Sequence, residues 1–242
     1  MKVGDNEHAR LHLRAEIGVF RRLDEPFMPR LLGWNLGDPP FLVLEDLSGA
    51  LWPPPYPAEV GRLIDLVVEI SAHQAPRGLR RLTDPLHPTW PGLADHLEQI
   101  AATGQCSVDW LRSALPALAG AEARIRLAGD RLVHGDLWFM NICFATRGPV
   151  LVDWAFAGAG NSQINLAGLR HDLLTHGIQR PVPELSDEGA WAAFLTALTA
   201  QEAVAPVQPW ISDEAGMREM HRMYLPVGLR WAAETLGLPA LS

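Results

Sequence analysis

The chain has 242 residues, enough for one large domain or two unequal ones. Its composition, 48% hydrophobic and 20% charged, is that of a globular chain with a sizeable core and excludes general disorder. A net charge of −8 speaks against a nucleic-acid binder, whose footprint is a basic face, and is compatible with a cationic small molecule.

Residues 7–23 are predicted to be helical, because Ala9, Leu13, Ile17 and Phe20 recur at helical spacing. Asp5 or Asn6 is a suitable N-cap, and Pro26 and Pro29 end the segment. Two apolar runs, Arg30–Trp34 and Phe41–Glu45, flank a turn rich in Gly and Pro and predict a β-hairpin. Residues 48–57 are too dense in proline for helix or strand and read as a connector.

Beyond the connector the chain turns helical. Val60, Leu63, Ile64, Val67, Val68 and Ser71 form one predicted face, and Leu93, Leu97 and Ile100 another. A third helix is expected over Val108–Leu127, kinked or split at Pro116. Two short strands follow, Arg131–Val133 and Val150–Val152, then helices over Asp187–Gln201 and Ser212–Leu236. Cys106 and Cys143 form no metal or redox motif and are expected to be reduced, buried or half-buried thiols. No apolar run suits a signal or a membrane span, so no membrane partner and a cytoplasmic setting are expected.

The chemistry is concentrated in residues 132–154. His134 is followed two residues on by Asp136, Asn141 comes five residues after that, and Asp153 closes the next strand. Phosphoryl transfer from ATP asks a protein mainly for positioning and charge neutralisation. One carboxylate must face the acceptor hydroxyl, while an amide and a second carboxylate hold Mg²⁺ on the phosphates. Asp136 is the candidate for the first role, and Asn141 and Asp153 for the second. A hairpin between them would bring Asn141 and Asp153 side by side, and hard oxygen ligands suit Mg²⁺. His134 is expected to brace the loop by hydrogen bonding.

These residues, His134-Gly135-Asp136-Leu137, Asn141 and Asp153-Trp154, resemble the motif of the aminoglycoside phosphotransferase and choline kinase-like family. The resemblance implies an α+β, protein-kinase-like two-lobed fold with an N-terminally truncated small lobe and a mostly helical large lobe. Residues 1–47 would be the partial small lobe. Residues 48–242 would be the large lobe carrying the catalytic loop and acceptor site. It also implies that Glu16 pairs with a phosphate-binding lysine, for which Lys2 is the candidate. The backbone of the segment containing Glu45 and Leu47 would hydrogen-bond adenine.

Two departures stand out. No glycine-rich loop precedes Lys2, which leads to the expectation of a start assigned too late or of a fragment. Asn165 stands where the family often has Asp. The expected function is transfer of the ATP γ-phosphoryl group to a small-molecule hydroxyl. The alternative is a non-catalytic kinase-like binding protein or fragment.

Other residues read as background. His73 is expected to pack or cap. His171, Asp172 and His176 have metal-like spacing on a possible helix but are expected at the surface. Glu184, Asp187, Glu188, Asp213 and Glu214 are expected to precede or open helices, where carboxylates favour the dipole, with lining of an acceptor pocket for a cation as the alternative for some.

Overall fold

The computed structural model describes residues 1–54, 58–83, 89–204 and 214–242. In chain order the elements are β1 (Lys2–Val3), α1 (Glu7–Phe20), β2 (Leu31–Asn35), β3 (Phe41–Leu44), α2 (Val60–Ala72), α3 (Leu97–Ala101), α4 (Val108–Glu122), β4 (Arg131–Val133), β5 (Ile142–Ala145), β6 (Gly148–Leu151), β7 (Gly158–Gly160), α5 (Gln163–Thr175), α6 (Glu188–Val204) and α7 (Glu214–Leu236). They pack as two compact units, residues 1–82 with 128–169 and residues 83–127 with 170–242. Among the described residues no helix is long and apolar enough to cross a membrane.

Among the described residues, the first unit holds all the strands. β1, β3 and β2 form an antiparallel sheet in that order, with Lys2 opposite Leu42 and Asn35 opposite Phe41. Asn6 caps α1 by accepting the Ala9 N–H at 2.9 Å. The buried stripe of α1 is Leu13, Glu16, Ile17, Val19 and Phe20, so a carboxylate lies among its core residues. The helix stops at Phe20, short of the expected residue 23, because the Arg22 and Leu23 N–H groups both turn back to Val19 O.

The helix α2 buries Val60, Leu63, Leu66, Val67 and Ile70, whereas Val68 is exposed, so the buried face is rotated from the one read in the sequence. His73 closes α2 and packs edge-on against Phe27, in keeping with a packing and capping role. Two small antiparallel pairs carry the loop chemistry, β4 with β7 and β5 with β6. In the second pair Ile142 faces Leu151 and Ala145 faces Gly148. The residues flanking this hairpin are Asn141 and Val152, and Val152 N–H donates to Asn141 O at 2.9 Å. Asp153 therefore follows directly on a backbone bond to Asn141.

The second unit is helical, and α6 and α7 form its main packing pair. Ala190, Ala192, Ala193, Ala197 and Ala200 are buried along α6 and permit close approach. On α7, a Cβ added at Gly228 would sit 2.7 Å from Thr196 Oγ1, so glycine is required there. Pro116 does not split α4, which runs through it and closes at Glu122. Asp187 caps the start of α6 by accepting the Ala190 N–H, and Arg124 holds the same carboxylate. Residues 55–57 of the connector, and Ser212 and Asp213, lie outside the described residues. Cys106 and Cys143 are free and buried.

Candidate functional site

The loop after β4 is fixed from three sides. His134 is fully buried, its Nε2 donates to Val152 O at 3.0 Å, and its Nδ1 accepts the Asp136 N–H at 3.3 Å. Burial pushes its pKa down to about 4, so the ring is a neutral Nε2–H tautomer bracing the turn. Gly135 has a φ of 82°, and a Cβ there would lie 2.5 Å from Phe156 O. Only glycine satisfies both the left-handed turn and that close approach.

Asn165 supplies the third anchor, from α5. Its Oδ1 accepts the His134 N–H at 3.0 Å, and its Nδ2 donates to Leu132 O at 2.9 Å and to Ser71 Oγ at 3.4 Å. The amide thus satisfies backbone groups on both sides of Val133. An Asp would place an oxygen against the Leu132 carbonyl, which gives Asn at this position a physical reason. Its contribution was not legible in the sequence, because its partners lie 31 to 94 residues away.

Asp136 is half-buried at the head of the loop. Asn141 Nδ2 donates to both its backbone O and its Oδ2, each at 2.9 Å. The Trp138 indole Nε1–H donates to Oδ1. This contact was missed in the sequence, although a ring N–H two residues after a candidate carboxylate was the available signal.

Lys2, Glu16 and Asp153 converge from three elements. Lys2 Nζ donates to both Glu16 oxygens at 2.9 Å and lies 3.4 Å from Asp153 Oδ1. Glu16 is only 2% exposed and also accepts the Trp154 N–H at 3.3 Å. Burial lifts its carboxyl above the usual range, Asp153 adds to this, and Lys2 opposes it. Burial also acts to lower the Lys2 pKa, but Glu16 and Asp153 outweigh it and the net direction is upward. The lysine is therefore a firmly charged group held by a buried partner. Asp153 itself adopts left-handed backbone, φ 61°, as the chain leaves β6 for a 3₁₀ turn over Trp154–Phe156. Trp154 anchors that turn, fully buried with its indole N–H on Leu151 O at 2.8 Å.

The Glu45 side chain joins Arg30 at 2.8 Å and Arg147 of the β5–β6 turn. Burial works to raise its carboxyl, but the two arginines outweigh it and hold it below the ordinary range. The Glu45 N–H is taken by Arg30 O, and Leu47 O accepts the N–H groups of Ala50 and Trp52 Nε1. Among the described residues Glu45 O and the Leu47 N–H have no partner. An acceptor and a donor two residues apart suit the edge of a purine.

Ligand atoms for a cation can be assessed in the same way. Asn141 uses its N–H groups on Asp136, which leaves Oδ1, and Asp153 Oδ2 has no partner among the described residues. These hard oxygens fit Mg²⁺, which takes few protein ligands alongside water and phosphate. Among the described residues no group of three or more His, Cys, Asp and Glu could hold a metal. The expected surface placement of His171 and Asp172 is overturned. Both are buried, His171 Nε2 bonds Tyr224 O at 3.0 Å, and the Tyr224 hydroxyl donates to Asp172.

The APH phosphotransferase enzyme family matches this chain over residues 2–188. No curated protein matches it. Among solved structures, a choline/ethanolamine kinase family protein from Mesorhizobium loti is 15% identical, covering 93% of this chain and 82% of that one, with a TM-score of 0.48. A thermostable mutant of the aminoglycoside phosphotransferase APH(4)-Ia, in ternary complex with ADP and hygromycin B, is 14% identical. That match covers 93% of this chain and 83% of the other, with a TM-score of 0.52, and it is a likeness of kinase-like fold. The family match takes in every strand and both candidate carboxylates, and the chain belongs to the APH phosphotransferase enzyme family.

Proposed function

We propose that this chain is an ATP- and Mg²⁺-dependent small-molecule kinase. It transfers the γ-phosphoryl group of ATP to a hydroxyl of a small molecule, and ADP leaves. The observation that carries the reading is the meeting of Lys2, Glu16 and Asp153, brought together across as many as 151 positions of sequence. A half-exposed ammonium gripped by a buried carboxylate and set beside a 45% exposed one is the arrangement a polyphosphate with its cation needs.

In this reading residues 1–47 serve the nucleotide and residues 48–242 carry the catalytic loop and the acceptor. Glu45 O and the Leu47 N–H receive the adenine edge. Lys2, oriented by Glu16, binds phosphate oxygens. Asn141 Oδ1 and Asp153 hold Mg²⁺, which when bound neutralises charge on the phosphates. Asp136 orients the acceptor hydroxyl and takes its proton late, as the new oxygen–phosphorus bond forms. With Asn141 and Trp138 donating to it, Asp136 is better suited to aligning the hydroxyl than to removing its proton early. A cytoplasmic setting, where ATP is abundant, fits this reading.

The test is ADP release in a coupled assay with hygromycin B, choline and ethanolamine as trial acceptors, on wild type and Asp136→Ala. Wild type is expected to turn over, and the variant to lose about 10²–10⁴-fold in kcat while still binding nucleotide. Equal turnover in the two proteins would remove Asp136 from the role.

A further inference from the structure

The Trp138 indole is placed where it acts on the carboxylate of Asp136. It lies two residues beyond Asp136, on the stretch that leads into the 3₁₀ turn Phe139–Asn141, and is half-buried. Its Nε1–H donates to Asp136 Oδ1, while Asn141 Nδ2 donates to Oδ2. Each carboxylate oxygen thus carries at least one donor from the same loop. A carboxylate has about four lone-pair sites, so each oxygen keeps acceptor capacity after these bonds.

With a donor on only one oxygen, the carboxylate can turn about its Cβ–Cγ bond. With a donor on each, in the fork set by Trp138 and Asn141, its plane is fixed. The backbone beneath is held by His134 and Asn165, and also by Asn141, whose Nδ2 donates to Asp136 O. Asn141 therefore ties carboxylate orientation to loop position, whereas the Trp138 N–H acts on the carboxylate.

We propose that Trp138 is a positioning residue for phosphoryl transfer, one whose indole N–H sets the plane of the Asp136 carboxylate against the acceptor hydroxyl. The proposal rests on the kinase reading above. Small misplacements of a reacting group cost about 10²-fold where alignment is the main contribution. Loss of the N–H is therefore expected to lower kcat by about 10- to 100-fold with the nucleotide KM unchanged. A purely structural ring would not produce that split.

The test uses Trp138→Phe, which keeps a ring and removes the N–H, and Trp138→His, which restores a ring donor. Both are assayed with wild type for MgATP turnover, with nucleotide KM and kcat read separately. A kcat loss in the Phe variant alone, recovered in the His variant, supports the proposal. Equal kcat in wild type and the Phe variant overturns it. A second measurement does not need turnover, and so separates this claim from the kinase reading. The Trp138 indole ¹H–¹⁵N resonance, assigned by its absence in the Phe variant, is recorded in wild type and in Asp136→Asn. A clear upfield move of the indole proton in Asp136→Asn, from weakening of a bond to a charged acceptor, supports the contact. An unmoved resonance overturns the proposal whatever the activity.

Discussion

Replacing Glu122 by Gln tests the physical account of the helical unit quantitatively. Glu122 ends α4 and is 6% exposed. Its Oε2 accepts the Trp90 N–H at 2.8 Å, while Oε1 has no partner among the described residues. Burial pushes this carboxyl up from 4.5 to about 7, with the Trp90 N–H pulling the other way. The folded state thus favours the neutral acid. That stability is fully present below about pH 4.5 and is lost as pH rises through about 7. At about 1.4 kcal/mol per pKa unit, the loss by pH 8 is about 3 kcal/mol. A Gln keeps the acceptor for Trp90 and cannot ionise. Urea unfolding followed by tryptophan fluorescence, at a series of pH values from about 5 to 8, should show the variant gaining on wild type as pH rises. A stability difference that does not change with pH would refute the reasoning.

Further outcomes follow from the catalytic loop. Asn165→Asp sets a carboxylate against the Leu132 carbonyl and should cost about 1–3 kcal/mol near neutral pH, read by urea unfolding. An unchanged midpoint would show that the donor to Leu132 is dispensable. Gly135→Ala forces a Cβ to within 2.5 Å of Phe156 O at a φ of 82° and should lower the melting temperature and abolish turnover together. Wild-type behaviour in both would mean the loop can relax away from the 3₁₀ turn.

Much of the site was legible because it is local. His134, Asp136 and Asn141 share one loop, and the hairpin that brings Asp153 back is a single apolar pair of strands around a turn. The helix α1 announced itself by its apolar spacing and its cap at Asn6. The meeting of Lys2 with Glu16 was expected only from resemblance, since nothing in the local pattern links β1 to the third turn of α1. What stayed hidden depends on burial from several directions. Asn165, His171 and Asp172 are polar residues of α5 that the fold encloses, so the helix lacks the polar face that periodicity would detect. The carboxyl of Glu122 is likewise buried by elements distant in sequence, against Trp90. Trp138 reads as an ordinary aromatic until its N–H is seen on Asp136.

The central claim is that Asn141 and Asp153 present a cation to a nucleotide anchored by Lys2. Calorimetric titration of the 242-residue chain with a non-hydrolysable ATP analogue, with and without Mg²⁺, tests it most directly when repeated on Asp153→Ala. The account predicts binding that Mg²⁺ strengthens in wild type, and loss of that Mg²⁺ dependence in the variant. Absence of binding by the folded wild type, or Mg²⁺ dependence that survives in Asp153→Ala, would contradict it.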